Sequence, residues 1–130
     1  MIKISENVSD ISDSDKTYLK TEEFFGEATP LKNCEKFGGF QYEERPQQKS
    51  MALQIAGSFE GGKNLCVEAP TGIGKSFAYL VPSVFFALAN EKPVLITTET
   101  ISLQEQLIEK DIPLLQSLMK DEFKAALAKG

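Results

Sequence analysis

Histidine is absent from all 130 residues. That gap alone removes imidazole general bases, histidine-containing triads and histidine-held zinc. Cysteine is nearly as scarce. Cys34 and Cys66 stand far apart with no C-x-x-C pair and no metal spacing, which points to a reduced, cytoplasmic setting. Arginine occurs once, as Arg45, too little to build the lid and acceptor site of a small kinase. Long apolar runs are missing too: the most apolar stretch, 77–89, is too short to span a bilayer and contains Pro82, so no membrane partner is expected. The opening fifteen residues are acidic and Ser-rich rather than basic and then apolar, unlike a secretory signal.

What is present suffices for one small domain with a core, at 42% hydrophobic and 25% charged residues, but is short for a complete phosphate-loop enzyme. The net charge of −5 is uneven. Residues 1–44 carry five lysines against ten acids, whereas 45–130 balance nine basic against nine acidic side chains. The acidity belongs to the front of the chain, and the remainder shows no basic footprint for nucleic acid. Backbone amides and hydroxyls can still bind a phosphate backbone without a basic surplus. Residues 1–23 read as an acidic flexible leader, and 24–130 as the structured part.

The strongest pattern is A-P-T-G-I-G-K-S: Ala69, Pro70, Thr71, Gly72, Ile73, Gly74, Lys75 and Ser76. It is a relaxed form of G-x-x-x-x-G-K-S/T, with alanine at the first position. A polyphosphate must be wrapped by backbone N–H groups at close range, which side chains would obstruct. Gly72 and Gly74 remove the Cβ and allow positive φ. A helix opening at Lys75 aims its unpaired amides and dipole at the phosphates. Lys75 is then the catalytic cation for the β and γ oxygens, and the Ser76 hydroxyl is placed for Mg²⁺.

Around this loop the sequence predicts a helix from 44 or 45, with Pro46 early in it, to the Gly61-Gly62 turn. A strand is expected over 64–68, a helix over 75–89 bent or interrupted at Pro82, and a second strand over 93–98. Apolar residues 103, 107 and 108 and then 114, 115 and 118 predict further helical stretches. Cys66 is expected to be a small core residue of the first strand. The region 24–40 reads as irregular chain anchored by aromatics. The fold class is therefore α/β, a partial phosphate-loop NTPase whose parallel sheet is incomplete within this chain.

Two flanking clusters are polar. Arg45 and Gln48 share a helix face, where Gln48 can offer donor and acceptor to an adenine edge while Tyr42 stacks on the base; a plain polar helix start is the alternative. Thr98, Thr100 and Gln104 follow the second strand at the edge where open α/β sheets place ligands. They read either as a phosphate-backbone contact or as a helix start capped by Thr100. Asp121-Glu122 imitates a metal-binding acidic pair, but Leu118-Met119-Lys120 before it is no buried strand, and a solvated helix face is expected instead.

Taken together, R-x-x-Q-x-x-M, then E-A-P-T-G-x-G-K-S with A-Y-L-x-P, then T-x-x-L-Q-x-Q-L followed by K-D-I-P-L-L resemble the DinG/XPD type of superfamily 2 DNA helicase, and most of all its bacterial DinG branch. The resemblance covers about 24–130. It implies a RecA-like first helicase domain, with Arg45 and Gln48 as adenine contacts beside Tyr42, Ala69 to Ser76 as the ATP-Mg²⁺ loop, and Thr98, Thr100 and Gln104 on the path of single-stranded DNA. It also implies movement 5′ to 3′ along one strand driven by ATP, and in many members a four-iron cluster held by four cysteines. The D-E-A-H box, an arginine finger, the second lobe and those cysteines are not in this sequence; Lys129-Gly130 resembles the start of the segment bearing the first cluster ligand. These residues alone are expected not to turn ATP over. A stand-alone nucleotide-binding switch is the other reading.

Overall fold

A computed structural model describes residues 13–72 and 74–128, the side chains of 13–15 excepted. Among these described residues are five α-helices: α1 (Asp13–Phe24), α2 (Pro46–Gly61), α3 (Lys75–Asn90), α4 (Ile101–Gln106) and α5 (Ile112–Leu118). A 3-10 helix, Pro30–Phe37, lies between α1 and α2, and a π-helical turn, Leu107–Asp111, joins α4 to α5.

The boundaries follow local chemistry. Pro46 opens α2, where its missing N–H costs nothing, and Gly62 closes it at φ 60°, a left-handed cap that side chains disfavour. Helix α3 runs on through Pro82 without interruption. Proline removes one backbone donor there, and the neighbouring Ser83 hydroxyl donates to the Tyr79 carbonyl at 2.6 Å. Thr100 caps α4 by accepting from the Leu103 amide at 3.2 Å. The π turn precedes Pro113, whose ring would crowd the carbonyl four residues back in an ordinary helix; the Ile112 amide reaches instead to the Leu107 carbonyl.

α1, α2 and α3 pack on one another around α3, whose apolar face is buried from Phe77 to Phe85. Phe24, Leu31, Cys34, Val81, Leu107, Leu115 and Leu118 complete that core. Phe59 of α2 stacks on Phe86 of α3 with ring centroids 4.6 Å apart. Ala52 and Ala56, fully buried, let the helices approach closely. Lys20 on α1 lies over the Phe85 ring and pairs with Asp121 at 3.4 Å.

Five expectations need correction. The leader expected over 1–23 gives way at residue 13 to α1, because Thr17 and Thr21 are small enough to be buried against the neighbouring helices; residues 1–12 lie outside the described residues. The stretch 24–40 is not irregular: Thr29 caps the 3-10 helix, which buries Leu31 and Cys34. The two strands expected over 64–68 and 93–98 are non-helical runs that pair with nothing among the described residues, so no sheet forms there. A strand bonds only to a neighbour, unlike a helix. With no layer above it, Cys66 is exposed rather than in the core. Finally, Asp121 and Glu122 fall beyond the end of α5 in irregular chain, not on a helix face. Lys129 and Gly130 lie outside the described residues.

Candidate nucleotide site

The loop before α3 is built on two glycines in the left-handed region. Gly72 has φ 87°, and Gly74, the residue that caps α3, has φ 79° and ψ 46°. Gly72 needs glycine for its backbone alone, since a Cβ there would meet nothing. Gly74 needs it twice over: a Cβ would fall 2.1 Å from Gln48 Nε2 and 3.3 Å from an Arg45 guanidinium nitrogen. Ile73 lies outside the described residues.

That crowding shows what holds the loop. Gln48, buried on α2, donates its amide to the Gly74 carbonyl at 3.0 Å, and the Ala78 N–H of α3 donates to the same oxygen at 3.2 Å. Two of the three residues expected to contact adenine, Arg45 and Gln48, are thus brought directly against the phosphate loop, 26 residues further along the chain. Tyr42, half-buried, packs one side against the apolar cluster. Burial, then the charge of Glu44, raises its phenol pKa above the usual value and keeps it neutral.

Lys75 and Ser76 open α3, half-buried, while Ala69 is half-buried and Thr71 exposed on the loop. No side chain caps this helix and no acid lies in its first turn. A lysine at the positive end of a helix dipole is unfavourable by about 0.3–1 kcal/mol at an exposed site. Lys75 therefore works against its own helix, a conflict that an anion bound at the helix start would relieve.

The π turn packs against α3, and Asp111 at its end accepts from Gln106 Nε2 at 3.3 Å. Burial pushes the Asp111 carboxyl above its ordinary pKa, while Gln106, Ser76 and Lys110 draw it back. Burial raises the Tyr79 phenol likewise, with Ser76 opposing and Asp111 assisting.

Thr98, Thr100 and Gln104 gather on the other side of α3. Thr98 donates its hydroxyl to the Thr100 carbonyl at 3.1 Å. Thr98 and Gln104 line an open groove of about 960 Å³, walled by Leu80, Val84, Leu107 and Phe123. The groove is largely apolar.

Residues 45–128, well over half of the chain, match the DEAD/DEAH box helicase model. The chain belongs to the DEAD/DEAH box helicase family. Among curated relatives of this helicase chain, the ATP-dependent helicase DinG of Mycobacterium tuberculosis is 44% identical over 90 residues, 66% of this chain and 14% of that protein. The 3'-5' exonuclease DinG of Bacillus subtilis is 40% identical over 89 residues, 68% of this chain and 10% of its own length. The ATP-dependent DNA helicase DinG of Salmonella typhimurium is 37% identical over 89 residues, 66% of this chain and 12% of the relative. The helicase chain thus resembles the DinG type while spanning only 10% to 14% of these relatives. No solved structure matches it significantly.

Family membership implies ATP and Mg²⁺, and the loop suits both. Mg²⁺ keeps most of its waters and takes one or two protein oxygens besides phosphate oxygens, which the Ser76 hydroxyl can supply. Among the described residues no cluster of three or more acidic, cysteine or histidine side chains is needed or found. An iron–sulfur cluster does not fit these residues: it takes four thiolates, and the chain has Cys34, buried, and Cys66, exposed. No helix among the described residues is long and apolar enough to cross a membrane.

Proposed function

We propose that this chain is the N-terminal, ATP-binding part of a DinG-type DNA helicase, coupling nucleotide turnover to movement along single-stranded DNA in the longer polypeptide. The observation that carries the reading is the bond from Gln48 to Gly74, which ties the adenine-side helix to the phosphate loop. An adenine held near Arg45 and Tyr42 would sit one hydrogen bond from the triphosphate cradle.

In this reading the amides from Ala69 to Ser76, Pro70 excepted, wrap the phosphates. Lys75 neutralises charge that builds on the β and γ oxygens during transfer, and Ser76 gives its hydroxyl oxygen to Mg²⁺. Magnesium held by Ser76 would supply positive charge to offset that of the phosphates. Gln48 keeps its amide nitrogen on Gly74 and turns its carbonyl side to the base, so base recognition and loop shape depend on one side chain. Thr98, Thr100 and Gln104 contact the DNA backbone through hydroxyl and amide groups, as a neutral surface requires. The unpaired runs 64–68 and 93–98 take neighbouring strands from elsewhere in the longer protein, which also supplies the carboxylate and cation that hydrolysis needs.

The test is the ATPase rate of the intact parent polypeptide with and without single-stranded DNA. The strand is expected to stimulate the rate, and Lys75→Ala to abolish it. A rate indifferent to DNA, or surviving Lys75→Ala, contradicts the proposal.

A further inference from the structure

The chain's single arginine stands beside the phosphate loop, with a guanidinium nitrogen 3.3 Å from where a Cβ on Gly74 would lie. Its side chain is 31% exposed, and among the described residues its one ionic partner is Glu43, 3.9 Å away and 78% exposed. We propose that Arg45 serves the phosphates nearest Gly74 rather than the base, and that Glu43 is the resting partner those phosphates displace, so that the pair sets how strongly the site answers to phosphate charge. The inference rests on the nucleotide reading of the loop.

Donor and acceptor patterns separate the two targets. An adenine edge presents an amine donor beside a ring-nitrogen acceptor, whereas a phosphate presents acceptors only. A guanidinium carries five donors and no acceptor, so it matches a phosphate and leaves the amine of a base unanswered. Gln48 has the complementary pattern. One Nε2 proton goes to the Gly74 carbonyl at 3.0 Å, which leaves a second proton and the side-chain carbonyl for an adenine edge. The two side chains that crowd Gly74 thus divide the ligand between them.

Local geometry suits a side chain that changes partner. Pro46 restricts the residue before it to extended backbone, and Arg45 lies at φ −130° and ψ 94°, its carbonyl accepting from the Gln48 and Lys49 amides at 3.0 and 3.3 Å. The main chain is pinned. The guanidinium is held only by the contact with Glu43, which at 3.9 Å is too long for a hydrogen bond. With no anion bound, Arg45, Lys75 and the positive end of α3 gather like charge at one loop, and the first turn of α3 has no acid to balance it. Glu43 supplies a loose counter-charge from exposed chain. A phosphate at hydrogen-bonding distance carries more charge at shorter range and outcompetes the glutamate for the guanidinium.

The test titrates the intact parent polypeptide by calorimetry with the magnesium salts of ADP and IDP, which share their phosphates and differ in the amine of the base. Arg45→Gln is expected to weaken both by about 10- to 100-fold, the range for a lost charge-assisted hydrogen bond, and to leave the ratio of the two affinities unchanged. Glu43→Gln should tighten both by about 1.5- to 5-fold at low salt, the range for releasing an exposed ion pair, and should do nothing once Arg45→Gln is present. A changed ADP-to-IDP ratio in Arg45→Gln, no tightening in Glu43→Gln, or additive effects in the double variant overturn the proposal. Should Arg45→Gln fail to fold, Glu43→Gln, a change at an exposed position, still decides: equal tightening of both diphosphates supports the proposal, and unchanged affinity overturns it. Failure of the unsubstituted protein to bind either diphosphate overturns the nucleotide reading as well, and so is distinguishable.

Discussion

The helical half of this molecule and its two non-helical runs have similar apolar content but opposite fates. Around α3 the side chains of Val81 and Leu115 are completely buried. In the run 93–98, Leu95 is 82% exposed, and in 64–68 Leu65 is 42% exposed. A helix closes its own backbone hydrogen bonds and needs only an apolar face to dock. A strand must find both a hydrogen-bonding neighbour and a covering layer. The helices are therefore complete where the strands are not, and the phosphate loop sits on the join between the two.

Substitutions can break or sharpen that contrast. Leu115→Ala should cost about 2–5 kcal/mol in thermal or denaturant unfolding, because it empties a packed site. Gly74→Ala comes next, at about 2 kcal/mol or more, since it forces a side chain into the left-handed region and displaces Gln48 from its hydrogen bond. Thr100→Ala should cost about 1 kcal/mol through loss of the α4 cap. Leu95→Ser should stay within about 0.5 kcal/mol in this 130-residue chain, as at any exposed site. A cost for Leu95→Ser as large as that for Leu115→Ala would show that the run is packed, and the contrast would fall. Amide exchange offers a second check: residues 64–68 and 93–98 should exchange quickly, and the middle of α3 slowly.

The same contrast explains what could be read from sequence. Pro46 and the Gly61-Gly62 pair marked α2, Gly74 and Lys75 marked the start of α3, and Thr100 marked the cap of α4, because each signal acts within a few residues. Cys66 misled because strand-like apolarity reports what a residue would do beside a partner, not whether the partner is there. Helix α1 was hidden by an acidic composition in which two small threonines, Thr17 and Thr21, make up the buried side ahead of Phe24. The alliance of Arg45 and Gln48 with the phosphate loop was anticipated only as a shared ligand; their direct contact with Gly74 is tertiary and leaves no local mark.

The central claim is that the loop from Ala69 to Ser76 receives a triphosphate. Calorimetric titration of the intact parent polypeptide with ATP and Mg²⁺ tests it most directly. A saturating heat at one nucleotide per chain, lost in Lys75→Ala, is the predicted result; no heat, or the same heat in Lys75→Ala, would contradict it.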